Sequence, residues 1–370
     1  MGKYEATSQR AAAPAGGGKK KRHIGLWITL AVLAVVVCWG VWFFTTPPDQ
    51  NTGNNGNAVT DPNSQQGQNQ TGSESQQHHI DAQQPEVQQP VEKEMKKGYY
   101  TILLAGTVDS YNTDTMMLCS VDSEAGKVKL VSINRDTQVD APIQIPKINA
   151  MYGWKNGGDE GAQTMCEKVT EVTGIPINYY VTINMNSFIK IVDLIGGVDY
   201  NVPFDMVHRD AQEQFDINLK AGQQNLNGRE ALQFVRYRST AENDFGRVNR
   251  QKDFLVAAMK QVLKKFSVTQ IEDYIQIFSE NVVTNMSVQN MLWFFTHVVT
   301  GLNFDEDVTS DTLPYYTTGY WTNPNAERYG TQSYVYLDPQ QIVEYVNANI
   351  NPYTTDITVD DVNIPRWMNP

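Results

Sequence analysis

Nine arginines follow Gly98, and five of them, Arg229, Arg236, Arg238, Arg247 and Arg250, fall between Lys220 and Lys252, where no lysine occurs. A guanidinium keeps its charge and presents a planar fork of donors that meets two phosphate oxygens at once, whereas a lysine ammonium is a mobile point charge. The bias suits a polyphosphate-type anion. Arg236 and Arg238 are two apart, which places them on one side of an expected extended segment, 235–238. Arg247, Arg250 and Gln251 stand at i, i+3 and i+4 of a helix expected to begin at Gly246. They would share a face at its first turn, the end of a helix that attracts anions. The competing role is a structural ion-pair network with Glu230, Glu242 and Asp244.

Two smaller clusters lie upstream. Asp109, after Gly106-Thr107-Val108, and Asp114, within Asn112-Thr113-Asp114-Thr115, flank a loop between two expected strands. Two carboxylates so placed can ligate Mg²⁺, which takes oxygen ligands and keeps substrate phosphates in its shell. The alternative is that both are ordinary turn formers. Ile133-Asn134-Arg135-Asp136-Thr137 puts an Arg and an Asp at the end of a buried strand, the usual edge for ligand sites in α/β sheets.

These clusters need a framework. Short apolar runs predict strands at 99–105, 115–121, 127–133, 178–184 and 198–202. Helical spacing predicts a helix capped by Asp159 and stopped at Gly174, then helices at 187–195, 227–234, 246–266, 269–278, 287–302 and 339–349. The reading is one α/β domain, 98–370, with a mixed central β-sheet flanked by helices. Cys119 and Cys166 are expected as buried thiols. The aromatic residues of the C-terminal part, 267–370, among them Tyr315, Tyr316, Tyr320 and Trp321, could stack on sugar rings, although core or edge packing is the preferred reading.

Residues 24–44 run without a charge, long enough to span a ~30 Å hydrocarbon layer. A cleaved signal peptide would have a shorter apolar region and a small-residue cleavage site, and here the exit is Thr45-Thr46-Pro47-Pro48. Lys19, Lys20, Lys21 and Arg22 close the tail 1–23, which the positive-inside rule keeps in the cytoplasm, so the domain is expected outside a cell membrane. Residues 45–97 are Gln, Asn, Gly, Ser and Pro with few aliphatic side chains, which predicts a disordered extracellular linker. A net charge of −12 argues against nucleic acid as a partner.

Taken in order, Asp109, Asn112-Thr113-Asp114-Thr115, Ser132-Ile133-Asn134-Arg135-Asp136-Thr137, Lys147-Ile148-Asn149-Ala150-Met151-Tyr152 and Gly196-Gly197-Val198 resemble the motifs of the LytR-CpsA-Psr family. Phe234-Val235-Arg236-Tyr237-Arg238 and Asp244-Phe245-Gly246-Arg247-Val248-Asn249-Arg250-Gln251 continue the series, which covers 99–266. The resemblance implies a phosphotransferase that joins glycopolymer carried on a polyprenyl pyrophosphate to peptidoglycan through a phosphodiester. It implies that Asp109 and Asp114 hold Mg²⁺, that Arg135, Arg236, Arg238, Arg247 and Gln251 grip the pyrophosphate, and that Asp136 orients Arg135. Asp114, Arg135, Arg236 and Arg238 would be catalytic. Relatives in that family carry a longer loop with an Arg before the second Asp, where this chain has Asn112, and a Pro where it has Asn134. A lipid-pyrophosphate hydrolase and a non-catalytic module binding lipid-linked glycan fit the same residues.

Overall fold

The computed structural model describes residues 46–50, 93–108, 112–209, 216–238, 243–265, 276, 278 and 280–365. The apolar stretch 24–44 lies outside them, and among the described residues no helix is long and apolar enough to cross a membrane. Most of the expected helix at 269–278 and of the linker also lies outside. The linker is described only at its ends. There Tyr179 Oη donates to the Asp49 carbonyl at 2.8 Å, and Gln50 Nε2 donates to the Lys96 and Tyr99 carbonyls at 2.8 and 2.7 Å.

Strands β1 (Tyr99–Thr107), β2 (Thr113–Asp122) and β3 (Lys127–Ser132) come first, followed by the short α1 (Met151–Trp154) and α2 (Gly158–Thr173). Then come β4 (Tyr179–Asn184), α3 (Met185–Leu194), β5 (Val198–Val202), β6 (Met206–His208), β7 (Ile217–Leu219) and β8 (Gly222–Leu226). The chain continues with α4 (Gly228–Arg236), α5 (Asn243–Lys265), β9 (Val282–Thr284), α6 (Val288–His297) and β10 (Val308–Thr312). It closes with the hairpin β11 (Thr317–Trp321) and β12 (Gln332–Tyr336), and with α7 (Pro339–Asn349).

The main sheet has the order β10-β3-β2-β1-β4-β9 and is mixed: β1 runs parallel to β4 and β10 to β3, and the other pairs are antiparallel. Side chains alternate across a strand, so each strand feeds two cores. Leu103, Ala105, Leu118 and Val131 pack under α2 and α7, while Tyr100, Ile102, Cys119 and Leu130 face α6. A third cluster, with Val198, Leu226, Phe234 and Phe254, joins the small strands to α3, α4 and α5. Cys119 and Cys166, the cysteines among the described residues, are free thiols; Cys119 is buried and Cys166 half-buried.

Several element ends differ from the sequence reading for local reasons. Asp159 does not cap α2, which starts from Gly157 at φ 73°; its carboxylate instead accepts from Tyr180 Oη at 2.9 Å. Gly174 does end α2, in the left-handed conformation that glycine adopts without a Cβ clash. Helix α4 begins with a capping box between Asn227 and Glu230, and it runs on through Arg236 where an extended segment was expected. Gly228 in its first turn lies so close to the Ile189 carbonyl of α3 that a Cβ would collide, which fixes α4 against α3.

Candidate functional site

Three polar groups are brought together at one end of the sheet. The loop after β3 is an Asx-type turn: Asn134 Oδ1 accepts from the Asp136 amide at 3.0 Å, and the Asn134 carbonyl accepts from Thr137 Oγ1 at 2.7 Å. Asparagine thus shapes this turn with its own side chain. The turn aims Arg135 at the start of β2, where Arg135 Nη1 lies 3.7 Å from Asp114 Oδ1. From the far side of the cleft, Arg238 Nη2 reaches the same oxygen at 3.8 Å. One carboxylate therefore collects guanidiniums from two parts of the chain 103 residues apart. Asp136 lies 3.7 Å from Arg135 Nη2, but its shorter contact is with Lys147 Nζ at 3.1 Å.

Arg236, the last residue of α4, directs Nη1 to Met185 Sδ at 3.3 Å. Helix α5 begins at Asn243, ahead of the expected Gly246, so Arg247 and Gln251 sit beyond its first turn and helix-end attraction for anions does not apply to them as expected. The shared face is also divided. Arg250 Nη2 donates to the Tyr237 carbonyl at 2.6 Å with its guanidinium carbon 5.5 Å from the Tyr237 ring centre, and Gln251 Nε2 donates to the Val235 carbonyl at 3.2 Å. Together they clamp the backbone that carries Arg236 and Arg238. Arg247 is 2% exposed.

These groups line the charged end of a cavity of about 1230 Å³ at the C-terminal ends of β1 and β4. Asp114, Arg135, Arg236, Arg238, Arg247 and Gln251 all face it, whereas Arg250 does not. Its remaining wall is apolar, with Ile183 on β4, Phe188 and Ile191 on α3, and Phe254, Ala258 and Met259 on α5. An apolar wall of this extent ending in a cluster of guanidiniums accommodates an amphiphile with an anionic head. Asp109 lies outside the described residues. Among the described residues no group of three or more His, Cys, Asp or Glu forms a metal cage; Asp114 and Asp136 are the carboxylates they offer at this end of the cavity, and Asp114 is the one that both arginines approach.

The sequence profile of the LytR_cpsA_psr family matches residues 64–348. The chain belongs to the LytR_cpsA_psr family. Among its relatives is the polyisoprenyl-teichoic acid–peptidoglycan teichoic acid transferase TagV of Bacillus subtilis, 35% identical over 208 residues, which are 53% of this chain and 52% of TagV. TagU of the same organism, named for the same transfer, is 29% identical over 203 residues, 53% of this chain and 63% of TagU. The matched stretch thus spans about half to three fifths of these two relatives. The crystal structure of B. subtilis TagV superposes with a TM-score of 0.55 at 29% identity, covering 68% of this chain and 95% of that one.

Two contributors to the charged end of the cavity were not placed there by the sequence reading, which gave Lys147 only as the start of a family motif and the C-terminal aromatics only as packing or sugar-stacking residues. Lys147 is 8% exposed, pairs with Asp136 and stands 5.2 Å over the Tyr334 ring. A lone lysine inside the apolar run Ile145-Pro146-Lys147-Ile148 was the available signal, since a buried cation needs a partner. The second is the β11–β12 hairpin, whose Gln332 and Ser333 face the cavity. Burial first, and then the neighbouring Tyr336 and Asp136, push the Tyr334 phenol up to about 12, so it remains neutral beside Lys147. Nothing local in residues 317–336 signalled that they return to the β3 loop.

Proposed function

We propose that the chain is a membrane-anchored phosphotransferase that joins a glycopolymer, carried on a polyprenyl pyrophosphate, to peptidoglycan through a phosphodiester bond. The observation that carries the reading is the division of one cavity into an arginine-rich end and an extended apolar wall. A polyprenyl pyrophosphate has the same division. The apolar wall would take the lipid tail, and Arg135, Arg236, Arg238, Arg247 and Gln251 would hold the pyrophosphate. The names of TagV and TagU, transferases of polyisoprenyl-linked teichoic acid to peptidoglycan, support the same reaction class. Residues 24–44 would keep the site at the outer face of the membrane, where such a lipid resides.

An acceptor hydroxyl would attack the phosphorus next to the glycan and lose its proton. The bond from that phosphorus to the bridging oxygen breaks, and polyprenyl monophosphate leaves. Little covalent chemistry is asked of the protein, because positioning and charge neutralisation dominate phosphoryl transfer. Arg135 and Arg238 come to 3.7 and 3.8 Å of one oxygen of Asp114, so both would stand close to a phosphate held there and could stabilise the negative charge as it moves onto the leaving phosphate. Asp114, with Asp109, would hold Mg²⁺. Carboxylate oxygens suit that ion, and one or two of them completed by phosphate oxygens form an ordinary shell. When bound, the ion would neutralise pyrophosphate charge that the arginines do not reach.

The test uses the full-length chain in detergent, with Mg²⁺, an oligosaccharide on polyprenyl pyrophosphate, and peptidoglycan oligomers. A linked product that disappears in Arg236→Ala is expected. Release of glycan phosphate at an equal rate with and without acceptor would identify a hydrolase instead. Tight lipid binding with no turnover, unaffected by Asp114→Asn, would identify a binding module.

A further inference from the structure

The β11–β12 hairpin carries exposed aromatic side chains beside the cavity, which Gln332 and Ser333 of β12 line. Residues at i, i+2 and i+4 of an extended chain share a face. Thr318 and Tyr320 share such a face of β11 and Tyr316 stands at the bend just ahead of it; all three are exposed, Tyr320 at 73% and Tyr316 at 59%. From Tyr316 to Tyr320 the chain spans at most about 14 Å at the usual strand rise. Tyr320 is paired across the hairpin with Ser333, so the two side chains lie on one face, and Ser333 faces the cavity.

This face is tied rigidly to the charged site. The Val335 amide donates to the Asp136 carbonyl and the Gln138 amide to the Val335 carbonyl, both at 2.9 Å, so β12 runs alongside the loop that carries Arg135 and Asp136. On the opposite face, Trp321 packs edge-on to Tyr334, which lies under Lys147. The connection between the strands is fastened as well: Asn323 Nδ2 donates to the Gln144 carbonyl at 2.8 Å and Arg328 Nη2 to Gln144 Oε1 at 3.0 Å, next to Ile145 in the cavity wall.

We propose that this face is the subsite for the acceptor glycan, a neutral strand of pyranose rings that lies along Tyr316, Thr318 and Tyr320 and leads one hydroxyl to the phosphate held by Arg135 and Arg238. The proposal rests on the transferase reading above. A pyranose ring has an apolar C–H face that stacks on a phenol, while its hydroxyls bond to flanking groups such as Thr318 and Ser333. Charge selects the acceptor over the donor. Residues 266–370 hold no lysine and two arginines, Arg328 and Arg366, against thirteen Asp and Glu, and Arg328 lies 4.8 Å from the Tyr329 ring while bonded to Gln144. A polyanionic donor polymer would be repelled there. A membrane surface is disfavoured by the same deficit of cations and by Thr318 and Ser333 beside the rings.

Single and double variants Tyr316→Ala and Tyr320→Ala in the full-length protein test this, because exposed side chains can be removed with the fold retained. Binding of a soluble, unlabelled peptidoglycan glycan oligomer is followed by calorimetry, and binding of polyprenyl phosphate in micelles is measured in parallel. The expected result is roughly tenfold weaker glycan binding per ring removed and recovery in Tyr320→Trp, with lipid binding unchanged. In the coupled reaction the KM for acceptor rises while that for donor is constant. Equal glycan affinity of wild type and double variant overturns the proposal. So does weakened binding of teichoic acid, or of anionic vesicles, in place of the acceptor glycan. Tyrosine-dependent glycan binding without any linked product upholds the subsite and removes the transferase reading, so the two failures are distinguishable.

Discussion

The two ends of the cavity are built by different means. At the charged end, side chains are held by directed bonds: Arg250 and Gln251 clamp the backbone at 235–237, Lys147 holds Asp136, and Asn134 shapes the turn below Arg135. Along the apolar wall, Phe188, Phe254 and Ala258 are placed by helix packing and Ile183 by the pairing of β4 with β1 and β9. The difference suits what each end must do. A phosphate group is recognised at hydrogen-bond distance and tolerates little displacement, whereas a lipid tail needs volume and tolerates repacking.

The largest expected effect comes from removing a charged-end group that points into the cavity. Arg135→Ala should lower kcat about 10²–10³-fold. Its side chain is part-exposed, so the melting temperature should stay within about 2 °C of wild type. A larger thermal loss would show that Arg135 serves the fold and would erase the contrast between the two ends.

Arg250→Ala removes a clamp while leaving every cavity-facing arginine in place. About 2 kcal/mol of stability should be lost with the charged hydrogen bond to Tyr237, measured by denaturant unfolding. Turnover should fall about tenfold, as expected when Arg236 and Arg238 are misplaced by a fraction of an ångström. Unchanged turnover in the folded variant would mean that the charged end does not depend on this clamp.

For the apolar wall the matching change is Ala258→Phe, which adds bulk where the tail would lie. Binding of a long polyprenyl phosphate should weaken about tenfold, and binding of inorganic pyrophosphate should stay the same. Parallel losses of both ligands would show that the two ends are coupled.

The smallest effect tests the sheet beneath both ends. Burial raises the Cys119 thiol to about 12 and pushes the Cys166 thiol up as well, so neither holds appreciable thiolate at pH 8. Both should resist alkylation at pH 8 in the native protein and react on denaturation, as read by peptide mass spectrometry. Rapid native labelling of Cys119 would mean that the sheet opens there.

Much of this architecture was legible because its signals are local. The runs that became β1, β2 and β3, the left-handed Gly174 and the helix Pro339–Asn349 each follow from a few adjacent residues. The arginine bias picked out Arg236, Arg238 and Arg247, which face the cavity, together with Arg229 and Arg250, which do not. It could not separate Arg247 and Gln251, which line it, from Arg250, which turns to Tyr237, because a shared helical face says nothing about what stands opposite. Arg236 was read as extended, yet it ends α4, whose register is fixed by the cap at Asn227 and the approach of Gly228 to Ile189.

The sequence by itself determined which chemistry is available: guanidiniums in place of ammoniums, a carboxylate at the head of β2, and membership of a family whose motifs recur in order. Tertiary structure alone decided where those groups meet. Arg135 and Arg238 converge on Asp114 because β2 pairs with β3 while α4 packs on α3, and the C-terminal hairpin reaches the same cavity because Val335 bonds along Asp136 and Gln138. Contacts between residues a hundred or more positions apart depend on how sheet and helices pack, and no local run of residues encodes them.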